Sequence, residues 1–322
     1  MAGICEIIKK RGKIPLFCMD ELEMGCGNVT KIRDILGRGR PSVSLEVFPP
    51  KAGADIAGIY RTLDRLSGLQ PDFISVTYGA AGTQSKNTIE IAGYIQKNLH
   101  LPALAHLTCL SSTKEQITGI IGQMQAHGIE HVLALRGDIP EGFAGFPTPL
   151  HFHHASDLIG ALRAQGEFCI GGACYPEGHP DSANEWEDLV HLKHKVDCGC
   201  EFLISQLFFD NSCFFAFLDK LRAMDVKVPV LAGIMPITAK SHIQKMCILS
   251  GAKMPDRLTR MLAKYQDSPD ALREAGIAYA TEQIIELLSA GVDGIHLYTM
   301  NKSKVCTKIL ENIDSIRKEA YR

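Results

Sequence analysis

The sequence predicts an α/β fold in which eight parallel strands, each followed by helical sequence, close into a single barrel. Three observations carry that prediction. Eight short runs rich in β-branched and apolar residues recur along the 322 residues. Segments of helical periodicity separate them, so the strands must pair in parallel through right-handed crossovers. The first strand runs into Pro49-Pro50-Lys51 instead of a glycine-rich turn, which argues against an open doubly wound sheet with a nucleotide at its switch point.

Taken in order, residues 1–40 form an N-terminal extension with a basic patch at Lys9, Lys10, Arg11 and Lys13 and an acidic one at Asp20, Glu21 and Glu23. Those charges read as a solvated helical piece, with partner docking as the alternative. Strand sequence follows at 43–49, 72–79, 103–109, 131–138, 169–176, 201–209, 229–236 and 294–301. Helical sequence lies at 55–67, 86–98, 113–127, 184–198 and 238–250. Thr113 and Gln116 have capping-box spacing and Gly128 stands where that helix would stop. The longer connection before the eighth strand holds two more helical segments, 255–265 and 269–290. The domain reading is therefore an extension over 1–40 and a (β/α)8 TIM-barrel catalytic domain over 41–322.

Composition narrows the function. The chain is 46% hydrophobic and 22% charged, with 34 basic against 36 acidic side chains and a formal net charge of −2. That balance excludes a disordered chain, a nucleic-acid binder and a polybasic membrane anchor. Eleven cysteines scattered from Cys5 to Cys306 lack the spacing of a small disulfide scaffold, and no run approaches the length of a membrane span. A cytoplasmic protein is expected.

In such a barrel the chemistry gathers at the carboxyl ends of the strands, so polar residues there are the candidates. Glu46 interrupts an apolar strand; burial would raise its pKa toward the range of a general acid, while the plainer reading is an ion pair with an inward Arg or Lys. Thr77 and Tyr78 close the second strand, His106 lies in the third, and Gln206 lies in the sixth. Tyr298, Asn301 and Lys302 close the eighth. His106 reads equally as a hydrogen-bonded core histidine. Arg136-Gly137-Asp138 reads as a clamp for an anion or a ring. Tyr175 and His179 sit in a loop braced by Pro176 and Pro180. His191, His194, Cys198 and Cys200 admit a zinc reading without the paired spacing of a strong site, whereas the histidines at 151, 153 and 154 read as an exposed loop.

With these residues laid out, the chain resembles the methylenetetrahydrofolate reductase family, flavoproteins that reduce 5,10-methylenetetrahydrofolate to 5-methyltetrahydrofolate. The likeness rests on SLEVFPPK at 44–51, DFISVTYGA at 72–80, HLTC at 106–109, LALRGD at 133–138 and YPEGHP at 175–180. It continues through DLVHLKHKVDCG at 188–199, ISQLFFD at 204–210, AGIMPI at 232–237 and HLYTMN at 296–301, in the family's order, across roughly residues 30–310. It fits the short bacterial form consisting of the catalytic domain alone.

The resemblance implies FAD at the carboxyl ends of the strands, lined by Thr77, Tyr78, Ala80, His106, Arg136, Gly137, Asp138, Ala155, Tyr175 and His179. Asp188, His191 and Lys195 would hold its ribityl and diphosphate part. It implies ping-pong chemistry in which a reductant reduces the flavin and leaves, and folate then takes its place. Glu46 would be the general acid that opens the imidazolidine ring to an iminium cation, which accepts the flavin hydride. Asp138 would disfavour the anionic reduced flavin and touch the pterin. Thr77, Gln206 and Tyr298 would position folate or nicotinamide, and Lys302 would meet the glutamate end.

The chain departs from the family pattern at Lys240, where an aromatic residue is usual, at Lys302 for an Arg, and at His154 for a Tyr. The expected reductant is therefore NADH, NADPH or an electron-donor protein. A homo-oligomer is expected, with a hetero-complex through residues 1–40 as an option, no metal, and a place in one-carbon metabolism and methionine biosynthesis. The competing readings are a zinc-dependent methyltransferase using Cys174, Cys198 or Cys200 with a histidine, a reductase subunit fed by a protein partner, and a non-catalytic interaction subunit.

Overall fold

The computed structural model describes residues 30–50, 56–78, 85–138 and 150–320. Eight strands close a parallel barrel in sequence order: β1 (Ser42–Val47), β2 (Phe73–Val76), β3 (Ala103–Thr108), β4 (His131–Leu135), β5 (Cys169–Cys174), β6 (Phe202–Ser205), β7 (Val230–Ile234) and β8 (Gly294–Tyr298). Closure pairs β1 with β8, setting Ser44 beside His296 and Glu46 beside Tyr298. The ladders stop a few residues short of the apolar runs in the sequence. Residues such as Thr77, Arg136, Tyr175 and Gln206 thus lie just beyond the strands, on the rim where active sites of this fold are built.

Alternation along each strand sorts the side chains. Val43, Leu45 and Val47 face outward into the main core, which also holds Ile59, Leu63 and Leu66 of α2 (Ala57–Ser67). Ser42, Ser44 and Glu46 consequently face the barrel axis. The floor of the barrel is apolar, built from Phe73, Leu104, Leu133, Cys169, Phe202, Ile204 and Leu231 together with Ile32 and Leu36. The last two belong to α1 (Ile32–Leu36), whose i, i+3, i+4 apolar residues Ile32, Ile35 and Leu36 are all buried. The described end of the N-terminal extension is therefore a plug under the barrel and not a solvated piece. Arg33 of α1 is fixed to Glu201 at 2.7 Å, and Glu201 is held by Arg163 at 2.6 Å. The charged patches expected at 9–13 and 20–23 lie outside the described residues.

The helices α3 (Ser85–Leu99), α4 (Lys114–Ala126), α5 (Ala155–Gln165), α6 (Glu185–Asp197) and α7 (Asn211–Ala223) follow strands β2 to β6. The cap expected at Thr113 is present in full: Gln116 N donates to its hydroxyl and Thr113 N donates to Gln116 Oε1 at 2.8 Å. After β7 come α8 (Lys240–Ser250), α9 (Asp256–Tyr265) and α10 (Pro269–Ser289), the extra helices anticipated before the eighth strand. After β8 come α11 (Ser303–Asn312) and α12 (Asp314–Ala320).

Candidate active site

A cavity of about 1070 Å³ opens at the carboxyl ends of β2 to β5, large enough for a dinucleotide. Twelve of the residues singled out in the sequence line it: Thr77, Tyr78, His106, Arg136, Gly137, Asp138, Ala155, Tyr175, His179, Asp188, His191 and Lys195. Ala80 lies outside the described residues. Ala155 begins α5, and Asp188, His191 and Lys195 descend one face of α6, so two helices and four strand ends converge on one space. Gly137 has φ +85°, and a Cβ there would lie 2.8 Å from Thr108 Cβ, so backbone replaces side chain on that wall. His154 lines the same space beside Ala155.

Lys195 is half-buried in the cavity wall with Nζ donating to the Ala173 carbonyl at 2.7 Å, and desolvation pushes its pKa down. His179 N donates to Asp188 Oδ2 at 3.1 Å, which ties the β5–α6 loop to the helix that follows. The Tyr175 and His179 rings meet edge to face at 4.4 Å. Arg136 donates to Asp181 at 2.5 Å, yet its buried Nε has no hydrogen-bond partner. An unsatisfied buried donor on a cavity wall calls for an acceptor from outside the chain.

Beside this cavity, His106 links it to Glu46. His106 Nε2 lies 3.6 Å from Glu46 Oε2, and the same oxygen lies 3.3 Å from Nε2 of His296. His296, fully buried, keeps its Nδ1 2.7 Å from Ser44 Oγ. Burial pushes the Glu46 carboxyl up, but the His296 hydrogen bond, the close approach of both imidazoles and the Ser75 hydroxyl outweigh it, so the carboxyl sits below its usual range. The sequence expectation of a raised pKa is thus corrected, and the inward Arg or Lys of the plainer reading is replaced by two histidines. Burial holds His106 itself down to about 4, which keeps it neutral near pH 7.

The remaining predicted substrate residues stand apart from the cavity, toward β6 to β8. Tyr298 donates to the Ser205 carbonyl at 2.6 Å and passes directly over Gly233, where a Cβ would come within 2.2 Å of Ser205 O. Gln206 is half-buried, and its side-chain oxygen accepts from Leu207 N. Lys302 is exposed and donates to Thr238 Oγ1 at 2.7 Å, while Lys240 pairs with Gln266. Thr299 and Asn301 tie this rim to β1, Thr299 through the Glu46 carbonyl and Asn301 through the backbone of Phe48.

The zinc reading finds no cluster. Cys198 Sγ comes within 3.7 Å of His194, but Cys200 is buried and donates to the Phe202 carbonyl. Among the described residues no three His, Cys, Asp or Glu side chains are grouped to hold a metal ion. Nor, among them, is any helix long and apolar enough to cross a membrane. His296 and Ser44 are the site residues that sequence reasoning passed over. Each stands two residues before a flagged residue on its own strand, Ser44 before Glu46 and His296 before Tyr298, but their meeting depends on β1 pairing with β8.

A closed parallel barrel with a dinucleotide-sized cavity and a carboxylate–histidine pair at its carboxyl ends defines a TIM-barrel enzyme. A family model described as methylenetetrahydrofolate reductase matches residues 31–314. The chain is 34% identical over 276 residues to the 5,10-methylenetetrahydrofolate reductase of Pectobacterium carotovorum subsp. carotovorum, covering 86% of this chain and 91% of that one. It is also 34% identical over 300 residues to methylenetetrahydrofolate reductase (NADH) 1 of Arabidopsis thaliana, covering 89% of this chain and 51% of the plant protein. The chain belongs to the methylenetetrahydrofolate reductase family of enzymes, at the length of its bacterial members. A Clostridium thermocellum protein that binds two copies of 5-methyl-5,6,7,8-tetrahydrofolic acid shares the fold, with TM-score 0.58 at 15% identity over 89% of this chain and 98% of that one.

Proposed function

We propose that this chain reduces 5,10-methylenetetrahydrofolate to 5-methyltetrahydrofolate, with FAD held in the large cavity and folate bound on its β1–β8 side. The observation that supports it most is His106, which lines the cavity and also approaches Glu46, so that a ring in the cavity lies next to the carboxylate. The residues fit the cofactor: a buried, unpaired Arg136 Nε awaits an acceptor, half-buried Lys195 puts a cation in the wall, and Gly137 lets a ring approach the backbone. Asp138, Tyr175 and His179 would hold the flavin ring and its chain, with Arg136, Asp188, His191 and Lys195 toward the diphosphate. When bound, FAD supplies a hydride acceptor and donor.

The chain's own residues then have distinct tasks. Glu46 moves the proton needed to open the imidazolidine ring. Its carboxyl is held low, and Nε2 of His296, steadied by Ser44, stands 3.3 Å away on the path by which that proton can reach it. Gln206 and Thr77 orient the pterin, Tyr298 forms the floor beneath it, and Lys302 meets the glutamate carboxylates. Asp138, exposed at the cavity edge, disfavours negative charge on a ring lying against it.

The reductant is NADH, NADPH or an electron-donor protein. Lys240 favours weighing the last of these, because it presents a cation paired with Gln266 at the rim where a stacking ring is usual. Anaerobic stopped-flow tests both parts. The purified protein, reconstituted with FAD, should be bleached by one of these donors and reoxidised by methylenetetrahydrofolate. A chain that cannot be loaded with FAD, or whose reduced form ignores the folate, would sink the proposal. Bleaching by a low-potential donor but by neither nicotinamide would assign a protein partner.

A further inference from the structure

The rim of the cavity holds an ion pair that the proposed chemistry does not use. Arg136, just past β4, and Asp181, in the loop between β5 and α6, reach toward each other over the cavity and close to 2.5 Å. Both line the space, and the carboxylate is the more exposed partner, 59% against 30% for the guanidinium. The loop presenting Asp181 is anchored independently of Arg136. Asp181 N donates to His179 Nδ1 at 3.1 Å, and Ser182 Oγ and His179 N both donate to Asp188. The carboxylate is thus delivered to the guanidinium by a braced loop.

Charge makes that delivery consequential. Asp138, Asp157, Glu187 and Asp188 also line the cavity, where Arg136 and Lys195 are the lysine and arginine side chains of the lining. Lys195 is already committed to the Ala173 carbonyl. An entering diphosphate therefore meets a wall whose accessible guanidinium is neutralised. Arg136 Nε stays buried and unsatisfied while the terminal nitrogen is held by Asp181, so the guanidinium is aimed but not fully used.

We propose that Asp181 is a positioning residue that acts as the resident counter-ion of Arg136, and that the anionic part of the cofactor must displace it to bind. This rests on the flavin reading above and adds a gate to it. Removing the carboxylate while keeping the size and backbone of the loop should strengthen binding of the phosphate-bearing cofactor, because the competitor is gone. A flavin without phosphate should not notice the change.

The test titrates the full-length chain, stripped of flavin, with FAD and with riboflavin, reading flavin fluorescence. An exposed ion pair of this kind predicts that Asp181→Asn lowers the Kd for FAD by roughly two- to fivefold and leaves riboflavin unchanged. In an Arg136→Gln background the same substitution should leave FAD binding unaltered. Weaker FAD binding by Asp181→Asn, or parallel shifts for both flavins, would overturn the counter-ion role. Failure of the wild-type chain to bind FAD would overturn the flavin reading and this inference with it.

Discussion

Glu46 and His296 meet across the seam where the barrel closes, with His296 Nε2 3.3 Å from Glu46 Oε2 although 250 residues separate them in the chain. Neither group is reached by an arginine or lysine in the described structure, so the carboxylate's ionisation depends on imidazole. This makes the pair a proton-handling unit and gives Glu46→Gln a specific expectation. Reduction of the flavin should proceed at near wild-type rate, whereas its reoxidation by methylenetetrahydrofolate should fall by about 10²- to 10⁴-fold. Separate half-reactions in stopped-flow would show the split; equal losses would count against the acid role.

His296 should act through Glu46. Its hydrogen bond is one of the causes holding the carboxyl down, so His296→Gln should let the Glu46 pKa rise. An acid that must be protonated to act loses rate as pH climbs through its pKa. The alkaline limb of the folate half-reaction should therefore move to higher pH in the variant, by about one unit for each tenfold change in proton affinity. An unmoved limb with a uniformly lower rate would reduce His296 to a packing residue.

The closing seam also explains what the sequence made legible. Eight apolar runs separated by helical periodicity specify a parallel barrel, and rim residues such as Arg136 and Tyr175 follow from knowing where its strands end. The partner of Glu46 does not follow, because it depends on β1 pairing with β8, a register that no local period contains. His296 reads locally as one more buried strand residue. The helix α7 was obscured because Phe214, Phe215 and Phe217 suit a strand as readily as a helix, although Asp210 caps it. In α1 the spacing of Ile32, Ile35 and Leu36 was present but surrounded by Lys31, Arg33, Asp34 and Arg38, which resemble a solvated stretch.

That plug should matter for stability. Leu36 is 6% exposed and packs against the barrel floor, so Leu36→Ala should cost about 2–4 kcal/mol. Urea melts at pH 7.5 would measure it. A change under about 0.5 kcal/mol, the range of an ordinary surface substitution, would show that α1 is a detachable extension.

The cysteines should be quiet. Burial pushes the thiols of Cys109, Cys169, Cys200 and Cys306 up to about 12, leaving almost no thiolate at pH 8. Brief alkylation of the native chain, followed by peptide mass mapping, should spare these four while denatured protein is modified at all of them. Rapid native labelling of Cys200 would revive a thiolate role for it.

Acid should loosen the barrel from its floor. His131 begins β4, is fully buried, and is pushed by burial down to about 4; His106 is lowered to about 4 for the same reason. In the unfolded chain both return to an ordinary histidine value near 6.5, so between these limits the unfolded state binds more protons. Their contribution is complete above about pH 6.5 and is lost as pH falls toward 4. Glu201 adds to the same direction at lower pH, because hydrogen bonds from Arg163 and Arg33 outweigh its burial and hold its pKa down. Stability should thus fall from pH 7 to pH 4.5, with His131 accounting for about 2–3 kcal/mol of the drop. His131→Phe removes that titration while leaving His106 and Glu201 in place, so its stability should fall less steeply over the same interval. The quantity to compare is the pH slope and not absolute stability, since packing at the floor changes too. A slope identical to wild type would mean that His131 is protonated without cost in the folded barrel.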